Sequence, residues 1–151
     1  MDNVTLLGNY AFNYCSALTT IQLPSNLQTI NQYVFYYCTK LTQIELPSKV
    51  KTIGNYAFKY CTSLTSVKFN SDVSSMGTYI FQNCSKLNTV DFNNHSMSLG
   101  NYTFYSVTSL KTILNWDNIT GIGASAFYSC TGLTSLTLPS KLTTIGSNAF
   151  S

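Results

Sequence analysis

The sequence predicts a repeat solenoid of about six stacked turns on a parallel β-sheet, and two observations support this fold class. Leucine, isoleucine and cysteine recur at equivalent positions of successive repeats, and each such set of equivalent positions is called a column here. A phenylalanine returns every 23 residues without insertion or deletion, at Phe12, Phe35, Phe58, Phe81, Phe104, Phe127 and Phe150. A fixed period of this length is typical of units that bury their apolar faces only against neighbouring units. We therefore expect one solenoid over residues 1–151, without linkers.

Each unit contains the spacing of a short β-strand. Most units carry Leu-x-x-Ile-x-Leu, in which the last two apolar residues lie two positions apart, as Ile44 and Leu46 do. Side chains alternate between the faces of a strand, so this spacing predicts one face in the core and one in solvent. The outward column of these strands then contains Gln22, Glu45, Lys68, Asp91, Leu114 and Thr137.

The rest of each unit predicts a second short strand and a single helical turn. Leu27 and Ile30 form the first copy of an apolar pair that recurs in later units. A glycine such as Gly54 follows most copies of this pair. We expect the chain to turn at this glycine with positive φ. Residues 9–15 suit one helical turn, because their alanine, phenylalanine and cysteine lie at spacings of three and four.

Joined together, the columns read Leu-x-x-Ile-x-Leu-Pro-x-x-Val-x-x-Ile-Gly-x-x-Ala-Phe-x-x-Cys, as in residues 41–61. This pattern resembles the BspA-like leucine-rich repeats, also called the Treponema pallidum type. The resemblance implies a leucine-rich repeat solenoid from a cell-surface or secreted protein of a host-associated bacterium or parasitic protist. It also implies adhesion to host proteins, other microbes or matrix. Because partial repeats stand at both ends, we expect a fragment of a longer array.

Composition limits the partners. The net charge of +3 comes from eight lysines with no arginine, and only 9% of residues are charged, which disfavours nucleic acid as a ligand. No apolar run approaches the roughly 18 residues of a membrane-spanning helix, and the first residues lack the pattern of a signal peptide. We expect no membrane insertion.

The cysteines form one column, with Val107 at the sixth position: Cys15, Cys38, Cys61, Cys84 and Cys130. A 23-residue spacing is unlike that of zinc ligands, and an odd number does not suit a disulfide framework. We expect buried, reduced thiols that pack as small apolar groups, and no metal or cofactor.

Five of the eleven tyrosines form another column: Tyr10, Tyr33, Tyr56, Tyr79 and Tyr102. Such a stripe could bind a sugar or a protein, because each ring offers rigid apolar area with a polar tip. We favour the alternative that the rings stack on one another, since a position set by the repeat is usually set by packing.

One unit departs from the pattern. Within residues 93–119, Asn93 and then Trp116 stand at the position where earlier units have proline. Asn115 stands where a core leucine is expected, and Leu114 falls in the outward column. An exposed aromatic side chain beside an apolar one is typical of a binding hot spot. Alternatively, this is a decayed repeat, or a bulge turns Leu114 and Trp116 inward and Asn115 outward.

Little in the sequence supports catalysis. Asp72 and the single histidine, His95, lie one period apart and could be neighbours, but no nucleophile accompanies them by motif. We therefore expect a non-catalytic binding module. Its candidate partner-binding residues are the six residues of the outward column together with Trp116, and its expected partner is a protein or a glycan. The alternative is a structural spacer, or an array that self-associates through uncapped ends.

Overall fold

A computed structural model describes residues 3–151 as a parallel β solenoid of about six turns. Each strand pairs with the equivalent strand one turn away, and all pairs are parallel. In chain order the strands are β1 Leu6–Leu7, β2 Thr29–Ile30, β3 Gln43–Leu46, β4 Thr52–Ile53, β5 Ser66–Phe69, β6 Ser75–Met76, β7 Thr89–Asp91, β8 Met97–Leu99, β9 Thr112–Leu114, β10 Ile119–Ile122 and β11 Thr144–Ile145. The repeat solenoid predicted from the 23-residue period is confirmed, and so are the short second strands predicted from the recurring apolar pairs.

Two rows of strands run along the solenoid. The first row, named here the front sheet, has the order β3-β5-β7-β9. The second row is divided into β1-β2-β4-β6 and β8-β10-β11, so it is interrupted between β6 and β8. Beside this interruption the pairing of β8 with β10 shifts by one residue, because Ile119 pairs with Met97 while Gly121 pairs with Ser98. Met97, which is 4% exposed, therefore fills the core here.

The core consists of the repeating apolar columns. Phe35, Phe58 and Phe81 are fully buried, and successive phenylalanine rings stack with centroids 5.1–5.3 Å apart. Ile44 and Leu46 of β3 face this core, while Glu45 between them is exposed. Each unit thus buries its apolar face against its neighbours.

The predicted helical turns are wrong: no helix forms among residues 3–151. Residues 9–15 and their repeats form consecutive tight turns, with positive φ at Tyr10 (63°) and Tyr14 (58°). The amide N–H groups of both tyrosines donate hydrogen bonds to the next unit, at Gln32 O (3.2 Å) and Tyr36 O (2.8 Å). In a helical turn these amide N–H groups would point along the helix axis and could not reach the next unit. Hydrogen bonds between units therefore form in place of a helix.

The expected positive φ at the glycines is also wrong, since no glycine of the described chain adopts it. Glycine is needed because neighbouring turns approach closely. A Cβ atom at Gly54 would lie 2.5 Å from Gln32 N, and one at Gly100 would lie 2.1 Å from Gly77 O.

The predicted front strands are not formed in the first and last units. Residues 20–23 and 135–138 carry no strand, although Leu23 is buried. Each of these segments has a neighbouring unit on one side only. The described residues contain no helix that is long and apolar enough to cross a membrane.

Candidate binding surface on the front sheet

The outward residues of the front sheet line a groove of about 850 Å³. The groove brings together five of the seven predicted site residues, namely Gln22, Glu45, Lys68, Asp91 and Leu114. Threonine and serine side chains of the neighbouring columns complete its floor, and no aromatic ring is among the lining residues that the structure describes. Thr137 is exposed but lies outside the groove.

The strand register places alternating charges across the groove. Glu45, Lys68 and Asp91 occupy equivalent positions on three successive strands. Lys68 Nζ lies 4.0 Å from Glu45 Oε1, and both side chains are largely exposed, so this ion pair contributes little to stability. The same charges are therefore available to a partner.

Asparagine side chains orient the two carboxylates of the groove. Asn70 Nδ2 donates to Glu45 Oε1 over 2.8 Å, and Asn115 Nδ2 donates to Asp91 Oδ1 over 2.8 Å. The backbone N–H of Asn93 donates to the same Asp91 oxygen, also over 2.8 Å. Sequence reasoning missed these asparagines as site residues. A signal was present, because Asn70 and Asn93 stand where two earlier units carry proline.

The expectation that Trp116 is exposed is wrong. Its side chain is only 7% exposed and packs edge-on against Phe127 with centroids 6.2 Å apart. Its indole N–H donates to Thr137 O over 3.2 Å. Asn115 adopts positive φ (54°) and turns outward, so the tryptophan fills the core position that leucine or phenylalanine holds in other units. Part of the bulge alternative is thus confirmed.

Leu114, in contrast, is 42% exposed. It is the register partner of Asp91 on the next strand, and it supplies an apolar side chain at one end of the groove. The unit that departs from the repeat therefore contributes Leu114 and Asn115 to the surface and Trp116 to the core.

Asp72 and His95 are neighbours, as their spacing predicts. The carboxylate oxygen Oδ1 of Asp72 lies 3.1 Å from His95 Nδ1 and accepts a 2.7 Å hydrogen bond from Ser96 N. The Ser96 hydrogen bond and then the histidine lower the pKa of Asp72. The pair lies beside the interruption between β6 and β8 and outside the groove.

The tyrosine column stacks on itself, as predicted. Ring centroids from Tyr10 to Tyr102 are 4.9, 4.8, 5.4 and 4.3 Å apart, with nearly parallel planes. Because each inner ring has neighbours on both faces, the column offers edges and hydroxyl groups to a ligand, not the open faces on which a sugar stacks.

The cysteines are free thiols; the four later ones are buried, as predicted, whereas Cys15 is only half-buried. The buried Sγ atoms donate to phenylalanine carbonyl groups of the preceding unit over 3.1–3.2 Å, as Cys38 does to Phe12 O. Burial raises the pKa of Cys38 and Cys130 to about 12. The described residues contain no group of three or more His, Cys, Asp or Glu side chains that could hold a metal ion.

A parallel β solenoid with this repeat defines a leucine-rich repeat protein. The chain matches the BspA type leucine rich repeat region in six copies, over residues 1–95 and 28–151, and it belongs to that family. No curated protein matches the chain.

Two solved structures are similar. A leucine-rich repeat protein from Eubacterium ventriosum is 26% identical with a TM-score of 0.90, over 99% of this chain and 41% of that protein. The T. pallidum leucine rich repeat protein is 24% identical with a TM-score of 0.61, over 89% of this chain and 75% of that protein. The chain thus spans about two fifths of the length of the Eubacterium protein.

Proposed function

We propose that this solenoid is a non-catalytic binding module of a cell-surface or secreted protein, and that it recognises a protein partner through the groove of the front sheet. The observation that carries the proposal is the groove itself, in which five outward residues of successive units converge on one surface. In a solenoid the core columns are constrained by packing, so the outward column is free to encode recognition.

The chemistry of the groove favours a protein over a glycan. Sugar sites commonly offer an aromatic face, whereas the described lining residues of this groove include no aromatic ring. The groove instead combines alternating charges with the exposed apolar side chain of Leu114. Charged groups set orientation and specificity in protein interfaces, and apolar side chains supply much of the affinity.

The experiment compares two charge reversals that change the net charge equally. Lys68→Glu alters the groove, and Lys86→Glu alters an exposed lysine outside it. Wild type and both variants are passed over immobilised, purified extracellular-matrix proteins and over a glycan array. We expect binding to at least one protein, retained by Lys86→Glu and reduced by Lys68→Glu. Binding to glycans alone, or equal binding by all three chains, would contradict the proposal.

A second candidate function is end-to-end self-association. The last unit exposes a cluster of apolar side chains, including Leu136 (37%), Leu138 (47%) and Phe150 (41%). Phe150 continues the phenylalanine stack, with its centroid 5.2 Å from that of Phe127. This surface suits the face of another repeat unit, which makes a head-to-tail contact. Sedimentation velocity of wild type and Leu138→Lys over a concentration series tests it: the wild type should associate and the variant should not.

A further inference from the structure

We propose that Asp91 and Leu114 receive a basic side chain and an apolar side chain from one α-helix of the protein partner. The inference rests on the proposed function, because it assigns partner chemistry to the same groove. It begins from Asp91, which has no basic partner within ion-pair distance among residues 3–151, whereas Glu45 pairs with Lys68 and Asp72 with His95.

The Asp91 carboxylate is held in place before any partner arrives. Its Oδ1 atom accepts hydrogen bonds from Asn93 N and Asn115 Nδ2, both 2.8 Å long. Its Oδ2 atom has no hydrogen bond to any residue that the structure describes. A carboxylate already oriented by two donors loses little freedom when it binds a cation, and a charge-assisted hydrogen bond to that cation is stronger than a neutral one.

Leu114 stands one strand away from this carboxylate. It is the only large apolar residue of the outward column, and its side chain is 42% exposed in the same groove. Lys68 occupies the strand on the other side of Asp91 and repels a second basic group there. Three adjacent strands of the front sheet therefore present a positive, a negative and an apolar side chain in that order. This order favours a partner with a single basic side chain and an apolar neighbour on the side away from Lys68.

Spacing favours a helical partner. Asp91 and Leu114 lie on adjacent strands, which are about 4.8 Å apart in a β-sheet. Residues three apart on a helix are separated by about 4.5 Å along its axis, and they lie on one face. Alternate residues of an extended segment on one face are about 6.6 Å apart, which exceeds the strand spacing. A helix lying across the strands thus reaches both positions with residues three apart.

The probe is a fluorescein-labelled, alanine-based helical peptide of about 20 residues, with arginine and leucine three positions apart. Control peptides replace the arginine by glutamate or the leucine by alanine. Binding is measured by fluorescence anisotropy on the wild-type chain and on Asp91→Asn and Leu114→Thr. The matched control chains are Asp117→Asn and Leu6→Thr, which alter an exposed carboxylate and an exposed leucine outside the groove.

We expect the Arg–Leu peptide to bind wild type and both control chains equally. Asp91→Asn should weaken binding about three- to tenfold, the range for a partly exposed, charge-assisted pair. Leu114→Thr should weaken it by a similar factor, and both control peptides should bind less tightly than the Arg–Leu peptide. Asn keeps an oxygen to accept from Asn93 and Asn115, so the fold of Asp91→Asn should be retained, as circular dichroism can verify.

Wild-type binding should also weaken as the salt concentration rises, which tests the charge pair without any substitution. Equal affinity for wild type and Asp91→Asn, or no binding of the Arg–Leu peptide to wild type, overturns the inference. The proposed function is tested separately: if the peptide fails while Lys68→Glu still abolishes capture of a matrix protein, the partner chemistry is wrong and the groove is still a binding surface.

Discussion

Replacement of Trp116 by alanine should destabilise the solenoid without removing a surface contact. The side chain is 7% exposed, and a buried tryptophan covers about 150 to 250 Å². At about 25 cal/mol per Å², this burial corresponds to about 4 to 6 kcal/mol. Because alanine recovers part of that area, we expect Trp116→Ala to lower the free energy of unfolding by about 3 to 5 kcal/mol.

Two further variants separate the components of this effect. Trp116→Phe keeps a ring beside Phe127 and removes the indole N–H that reaches Thr137 O, so it should cost about 1 kcal/mol. Leu114→Ala, two residues earlier in the sequence and exposed, should cost less than about 1 kcal/mol. Urea denaturation followed by far-ultraviolet circular dichroism measures all three. A Trp116→Ala chain that unfolds at the wild-type urea concentration would refute the reasoning.

Three other predictions concern the cysteines, Asp72 and the glycines. A thiol reagent should modify half-buried Cys15 quickly and the four buried cysteines only after denaturation; rapid labelling of all five would contradict their burial. The folded-state pKa of Asp72 is lowered by Ser96 N and His95, so its stabilising contribution is present above its unfolded-state pKa and lost as the pH falls through the folded-state pKa. Hence the difference in free energy of unfolding between wild type and Asp72→Asn should shrink from about pH 6 to about pH 3, and a constant difference would be inconsistent. Gly100→Ala, whose Cβ would meet Gly77 O at 2.1 Å, should cost about 1 to 3 kcal/mol, while Gly8→Ala, with open space around it, should change thermal stability little.

The period made most of the fold predictable. A phenylalanine column such as Phe35 and Phe58 can be buried in every unit only if the units stack, so the sequence was sufficient to predict the solenoid and its core. The outward column was equally predictable, because alternation along β3 places Glu45 opposite the core. Five of the seven predicted site residues accordingly line one groove.

Features that depend on contacts between units were not predictable from one unit. The role of Gly100 is an example, because the pattern suggests a turn, whereas glycine is required by the close approach of the unit before it: an added Cβ atom would lie 2.1 Å from Gly77 O. Trp116 is another: its direction depends on positive φ at Asn115, which the register alone does not indicate. Asn115 was missed because its hydrogen bond to Asp91 also crosses from one unit to the next.

The turns between strands explain why tyrosine, and not glycine, occupies a left-handed position. Tyr33, Tyr56 and Tyr79 have φ of 55–59°, a conformation that costs an L-residue about 1 to 2 kcal/mol. Each of their amide N–H groups donates to the next unit, and their rings stack at 4.8 and 5.4 Å. An aromatic pair of this kind contributes about 0.5 to 1.5 kcal/mol beyond its burial, which is comparable to the backbone cost. Glycine would remove the strain and the stack together, so the tyrosine column is part of the architecture.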